Sequence, residues 1–159
     1  MHPSFLTVNI QEDFDSCVEA RRETHLSSFG TTDTFAAFLD GYRERMTKRI
    51  SRPEWFYIHI WVGDEIAGQL EFRSVYNAEG TGYVHLMYLK SAYRGTGLAK
   101  LAHNYILETL RKAGCHRAIL SVSRTNERAV QFYKRNGWVY LSPNPKRETT
   151  DFYEIWFSA

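Results

Sequence analysis

Arg94, Gly95 and Gly97 fall within "YRGTGLAKLA", residues Tyr93–Ala102, just after an apolar strand-like run and just before a helical pattern. A glycine-rich turn between a strand and a helix leaves backbone N–H groups unpaired at the positive end of the helix dipole. Such an end binds phosphate oxygens. Gly95 and Gly97 lack a Cβ, so the backbone there can approach a diphosphate closely, and Arg94 adds a positive charge. The same residues also suit a plain tight turn. The stretch has neither the lysine of G-x-x-x-x-G-K-[ST] nor a full G-x-G-x-x-G.

The elements that must position this turn follow from periodicity. Phe5–Ile10 alternates as a first strand, and "QEDFD" opens a helix that runs to about His25. "TTDTFAAFLDGYRERMTKRI" reads as one helix, with Phe35, Phe38, Leu39, Tyr42, Met46 and Ile50 on one face and Pro53 beyond its end. Trp55–Val62 and Ile66–Val75 are β-rich runs around the turn residues Gly63, Asp64 and Glu65. Tyr83–Leu89 is a further strand, and Leu98, Leu101, Ala102, Tyr105, Ile106 and Leu110 carry a helical stripe that Gly114 stops. Arg117–Ser123 is a strand, "TNERAVQFYKRNG" a short helix, and Trp138–Leu141 and Asp151–Phe157 the last strands. The order is β-α-α-β-β-β-α-β-α-β-β. It predicts a mixed α/β sheet in which a strand–helix–strand crossover sets Tyr83–Leu89 parallel to Arg117–Ser123.

With no internal repeat or linker, residues 1–159 are expected to form one domain. A net charge of +2, with no long block of like charges, argues against a nucleic-acid track or a basic membrane arm. No run approaches membrane-spanning length, and the N-terminal residues lack a secretory leader pattern, so a cytoplasmic protein is expected. Cys17 and Cys115 stand alone, and His2, His25, His59, His103 and His116 are scattered, so no metal site is expected. Trp55, Tyr57 and Trp61 read as sheet packing rather than a substrate cage.

From Tyr88 to Trp138 the sequence resembles the two central motifs of the GNAT superfamily, the acyl-CoA-dependent N-acyltransferases. Ala92–Gly97 matches [QR]-x-x-G-x-[GA] except that Ala92 replaces the usual Gln or Arg. Asn126, Ala129, Tyr133, Gly137 and Trp138 match N-x-x-A-x-x-x-Y-x-x-x-G-[FW] without a gap. The element order is also that family's order. The resemblance implies a GNAT-like fold whose central parallel strands splay apart around acetyl-CoA as co-substrate. Backbone groups of Met87 to Leu89 would hydrogen-bond the pantetheine, and the amides of Arg94, Gly95, Thr96, Gly97, Leu98 and Ala99 would hold the pyrophosphate. Asn126 would contact the cofactor near the pantetheine, or serve as a plain helix cap.

Tyr133 stands where the family places a phenol near the CoA sulfur, and the competing reading is a packed helix tyrosine. The base is less conventional. Tyr83 occupies the position where several family members carry a glutamate. His85 lies two residues on, on the same face, and can accept a proton directly or through water. Glu71 on the neighbouring strand could orient it or act instead, and a merely hydrogen-bonded sheet histidine remains the other reading. The acceptor implied is a primary amine, on a small molecule or a peptide, attacked directly in a ternary complex because neither cysteine has a reactive context. The alternative is a non-catalytic acyl-CoA-binding module. "FYEIWF" at the C-terminus could be an apolar strand shared in a homodimer.

Overall fold

The computed structural model describes residues 2–157. Its strands are β1 (Ser4–Thr7), β2 (Trp55–Val62), β3 (Glu65–Arg73), β4 (Thr81–Leu89), β5 (Arg117–Ser123), β6 (Val139–Pro143) and β7 (Thr150–Trp156). The helices are α1 (Ile10–Phe29), α2 (Phe35–Leu39), α3 (Tyr42–Ile50), α4 (Leu98–Lys112) and α5 (Glu127–Arg135). One seven-stranded sheet runs β1-β2-β3-β4-β5-β7-β6. Its single parallel contact is the expected one, β4 with β5, and it spans only Thr81–Val84 against Arg117–Leu120. Beyond Val84 the two strands part.

Strand alternation sorts the side chains into two layers. Ile58, Ile60, Leu70, Phe72 and Val84 meet Leu98, Ala102, Ile106 and Leu110 of α4. On the opposite face Trp55 and Tyr57 meet Cys17 of α1 and Tyr42 and Met46 of α3. The second face also buries polar groups, namely His59, Gln69 and Glu71.

The sequence 31–50, expected as one helix, is two. Asp40 is extended and Gly41 left-handed at φ +73°, which breaks the hydrogen-bond ladder although the apolar stripe continues across it. Arg45 spans the break, donating from Nη1 to the Asp40 carbonyl and from Nη2 to that of Phe38, each at 2.7 Å. Helix α1 starts where Asn9 caps it through Glu12 N–H at 3.2 Å, so Ile10 belongs to the helix and β1 ends early. It runs four residues past His25, to Phe29, where left-handed Gly30 ends it. Of the apolar "FYEIWF", Phe152–Trp156 lie in β7, paired with β5 on one side and β6 on the other, and Phe157 follows the strand, so β6 is the free edge at that end of the sheet. Among the described residues no helix is long and apolar enough to cross a membrane.

Candidate active site

Where β4 and β5 part, a cleft of about 930 Å³ opens. One wall comes from Tyr83–Met87 of β4, Leu120–Ser123 of β5, and Asn126, Ala129 and Tyr133 of α5. The other comes from α1, α2 and α3. On its β5 side β4 has no strand partner after Val84, so the backbone groups of its outer half face the opening. His85 sits at a β-bulge: Phe72 pairs with Val84 and Glu71 with Leu86, leaving His85 as the extra residue.

The cleft brings together His85, Met87, Asn126 and Tyr133. Leu89 and Arg94–Ala99 are not part of its lining and lie further along, at the outer end of β4 and the head of α4. There Gly95 and Gly97 adopt φ of +74° and +88°, which L-residues rarely adopt, and a Cβ on either would meet nothing within 4 Å. The N–H groups from Gly95 to Lys100 have no backbone partner among the described residues. Thr96 closes the turn by donating to the Tyr93 carbonyl at 2.5 Å. Leu98 is fully buried in the core beneath α4, so only its amide can reach a ligand.

Tyr133 packs edge-on to Phe132 and Trp138, and burial pushes its phenol up to about 12. It therefore stays protonated and keeps a proton to donate. Asn126 does cap α5, its Oδ1 accepting from Ala129 N–H at 3.3 Å, and it also lines the cleft. His85 stacks on Trp55 at 5.1 Å and lies 4.6 Å from Tyr83, with its Nε2 buried and unpartnered. Burial, then the charges of Arg73, Arg21 and Arg49, push it down to about 3. The imidazole is neutral at physiological pH.

Glu71 is fully engaged. It accepts from Arg21 Nη2 at 2.5 Å, from the Tyr42 hydroxyl at 2.6 Å and from Gln69 Nε2 at 2.7 Å. Of the two base candidates, only His85 has no side-chain hydrogen-bond partner among the described residues, whereas Glu71 is tied to three side chains. Sequence patterns did not single out Arg21, Arg45, Arg49 and Arg147, all of which line the cleft. The available signal was spacing: Arg45 and Arg49 follow the buried Tyr42 at i+3 and i+7, on the face that α3 turns to the sheet. Among the described residues no cluster of three or more His, Cys, Asp and Glu side chains is placed to hold a metal ion.

Residues 14–138 match the model of the acetyltransferase (GNAT) family. The chain belongs to the GNAT acetyltransferase family. Membership makes it an acyltransferase, with acyl transfer from acetyl-CoA as the general reaction. Its fold is shared with PaiA N-acetyltransferase from Thermoplasma acidophilum, crystallised with coenzyme A, at 16% identity and a TM-score of 0.82 over 99% of this chain and 100% of that one. An acetyltransferase from Thermus thermophilus superposes with a TM-score of 0.76 at 18% identity, covering 99% and 98% of the two chains. A GNAT acetyltransferase from Streptococcus pneumoniae gives 0.74 at 14%, covering 99% and 100%. No curated protein matches the chain in sequence.

Proposed function

We propose that residues 1–159 form an N-acetyltransferase domain that moves the acetyl group of acetyl-CoA to a primary amine by direct attack in a ternary complex. One observation carries this reading: a single cleft joins the unpaired edge of β4 and Tyr133 to His85 and the α1–α3 wall. Donor and acceptor can therefore meet without an acyl-enzyme. Both cysteines support it as well. Burial raises each thiol, Cys17 to about 12, which leaves no thiolate to act as a nucleophile.

Acetyl-CoA supplies an activated acyl group and a thiolate leaving group. The unpaired edge at Met87–Leu89 suits an extended amide-bearing arm, which would lie on it as an added strand. The free amides from Gly95 to Lys100 suit the pyrophosphate, and the open space above Gly95 and Gly97 leaves room for it. Tyr133 donates a hydrogen bond to the departing sulfur. With the phenol near 12 and a free thiol near 8.5, full transfer is uphill by about 5 kcal/mol, so the bond shifts toward sulfur without handing over its proton at rest. His85, neutral and pushed down to about 3, is too weak a base to hold the amine's proton, so its role would be to accept a hydrogen bond from the amine while the proton passes through water to the departing thiolate, about 8.5 when free.

Thiol release from acetyl-CoA, measured over a panel of amines with mass spectrometry of the products, tests the reading. Release that requires an amine and yields its acetylated form is expected. Saturable binding of CoA with no release for any amine would instead identify a non-catalytic acyl-CoA-binding module.

A further inference from the structure

The acceptor wall of the cleft is cationic. Arg21, Arg45, Arg49 and Arg147 line the cleft against only two carboxylates, Glu71 and Glu148. Glu71 is already taken up by Arg21, Tyr42 and Gln69. Arg45 gives its guanidinium to two backbone carbonyls at the α2–α3 break. Arg49 differs. Its guanidinium lies 4.2 Å over the Trp55 ring and donates only a long 3.3 Å bond to the Tyr57 hydroxyl.

Arg73 lies 5.0 Å over the same indole, with its Nε buried and unpartnered. Among the described residues neither Arg49 nor Arg73 pairs with a carboxylate. Two guanidinium groups on one ring, half withdrawn from water, repel each other, and Arg73 is pushed below its ordinary value by burial and by Arg49. An anion beside them removes that cost. His85 stacks on the same Trp55, so the free Nε2 and the two unpaired cations are organised around one side chain.

We infer that the acceptor is an amine that also carries a carboxylate, of the amino-acid class, with the carboxylate received by Arg49, backed by Arg73, and the amine presented to His85. This rests on the acetyl-transfer reading above and narrows its substrate. A planar guanidinium takes a carboxylate through two parallel hydrogen bonds, which fixes orientation as well as charge. Polyamines and aminoglycosides would instead bring further positive charge to a wall that already holds an excess of it. On that same reading the CoA phosphates are held at the head of α4, which leaves these arginines to the acceptor.

Matched acceptors test the inference: free amino acids, the corresponding amino-acid amides, and spermidine, each assayed by thiol release from acetyl-CoA. The acids should exceed the amides in kcat/KM by about tenfold or more, with spermidine slowest. Arg49→Gln should lower the acid-over-amide ratio by about tenfold and Arg49→Lys by less. Calorimetric titration with acetyl-CoA checks that each variant is folded. Amides or spermidine outperforming the acids would overturn the inference while leaving amine acetylation standing. So would an unchanged ratio in an Arg49→Gln enzyme that binds acetyl-CoA normally. No release with any amine would remove the acetyl-transfer reading and this inference with it.

Discussion

Arg21 of α1 and Glu71 of β3 form a buried ion pair, Nη2 to Oε1 at 2.5 Å, with the two side chains 16% and 2% exposed. It ties α1 to β3 at the cleft, which both residues line. Glu71→Gln leaves a guanidinium with most of its surface withdrawn from water and no counter-charge, and strips the Tyr42 hydroxyl of a charged acceptor. A loss of about 3–5 kcal/mol in urea unfolding is expected. The double change Arg21→Met with Glu71→Leu should recover only part of it, because it removes the unpaired charge but leaves the buried Tyr42 hydroxyl and Gln69 amide without their acceptor. A single-variant loss below about 1 kcal/mol would show that the pair behaves as a solvated one.

His85 makes stability depend on pH. Its folded value of about 3 lies below the ordinary 6.5, so the unfolded chain binds the extra proton first. The stability that its neutral burial contributes is present above pH 6.5 and is lost progressively as pH falls toward 3. The slope is about 1.4 kcal/mol per pH unit within that window. His59 and His103, also lowered by burial, act in the same direction. Urea midpoints between about pH 6.5 and 4.5 should fall less steeply for His85→Gln than for the wild type. Equal slopes would show that burial does not depress His85 in the folded protein.

Much of this site was legible because its signals are local. The spacing of Gly95 and Gly97 fixes a turn at a helix head, and Asn126 to Trp138 fixes a short helix with its cap and stop. The parallel pairing followed from a strand–helix–strand sequence that has few ways to close. What escaped is decided by partners distant in sequence. The bulge at His85 exists only because β3 pairs Phe72 with Val84 and Glu71 with Leu86, which alternation within β4 cannot reveal. Arg49 and Arg73 look like ordinary solvated arginines until α3 and β3 bring both to Trp55. The break at Asp40–Gly41 was masked by an apolar stripe that fits one helix as well as two.

Gly97 separates a backbone requirement from a packing one. At φ +88°, with no heavy atom within 4 Å of the place a Cβ would take, Gly97→Ala meets no clash but must hold a left-handed conformation at a cost of about 1–2 kcal/mol. Relaxing that strain reorients the amides at the head of α4. The KM for acetyl-CoA should rise by about tenfold while the KM for the amine changes little. Equal effects on both substrates would show that the turn does not contact the donor.

Tyr133 is the residue whose removal should cost turnover rather than affinity. Its hydroxyl makes no hydrogen bond among the described residues, while its ring is held by Phe132 and Trp138, so Tyr133→Phe removes a donor and leaves the packing in place. A group that acts only as charge develops on the leaving sulfur contributes to kcat and not to ground-state binding. A fall in kcat of about 10²-fold is expected, with the KM for acetyl-CoA within about twofold of wild type. The two roles open to this tyrosine predict different outcomes. A phenol that merely packs loses its hydroxyl at no kinetic cost, so an unchanged kcat in Tyr133→Phe would take it out of the mechanism.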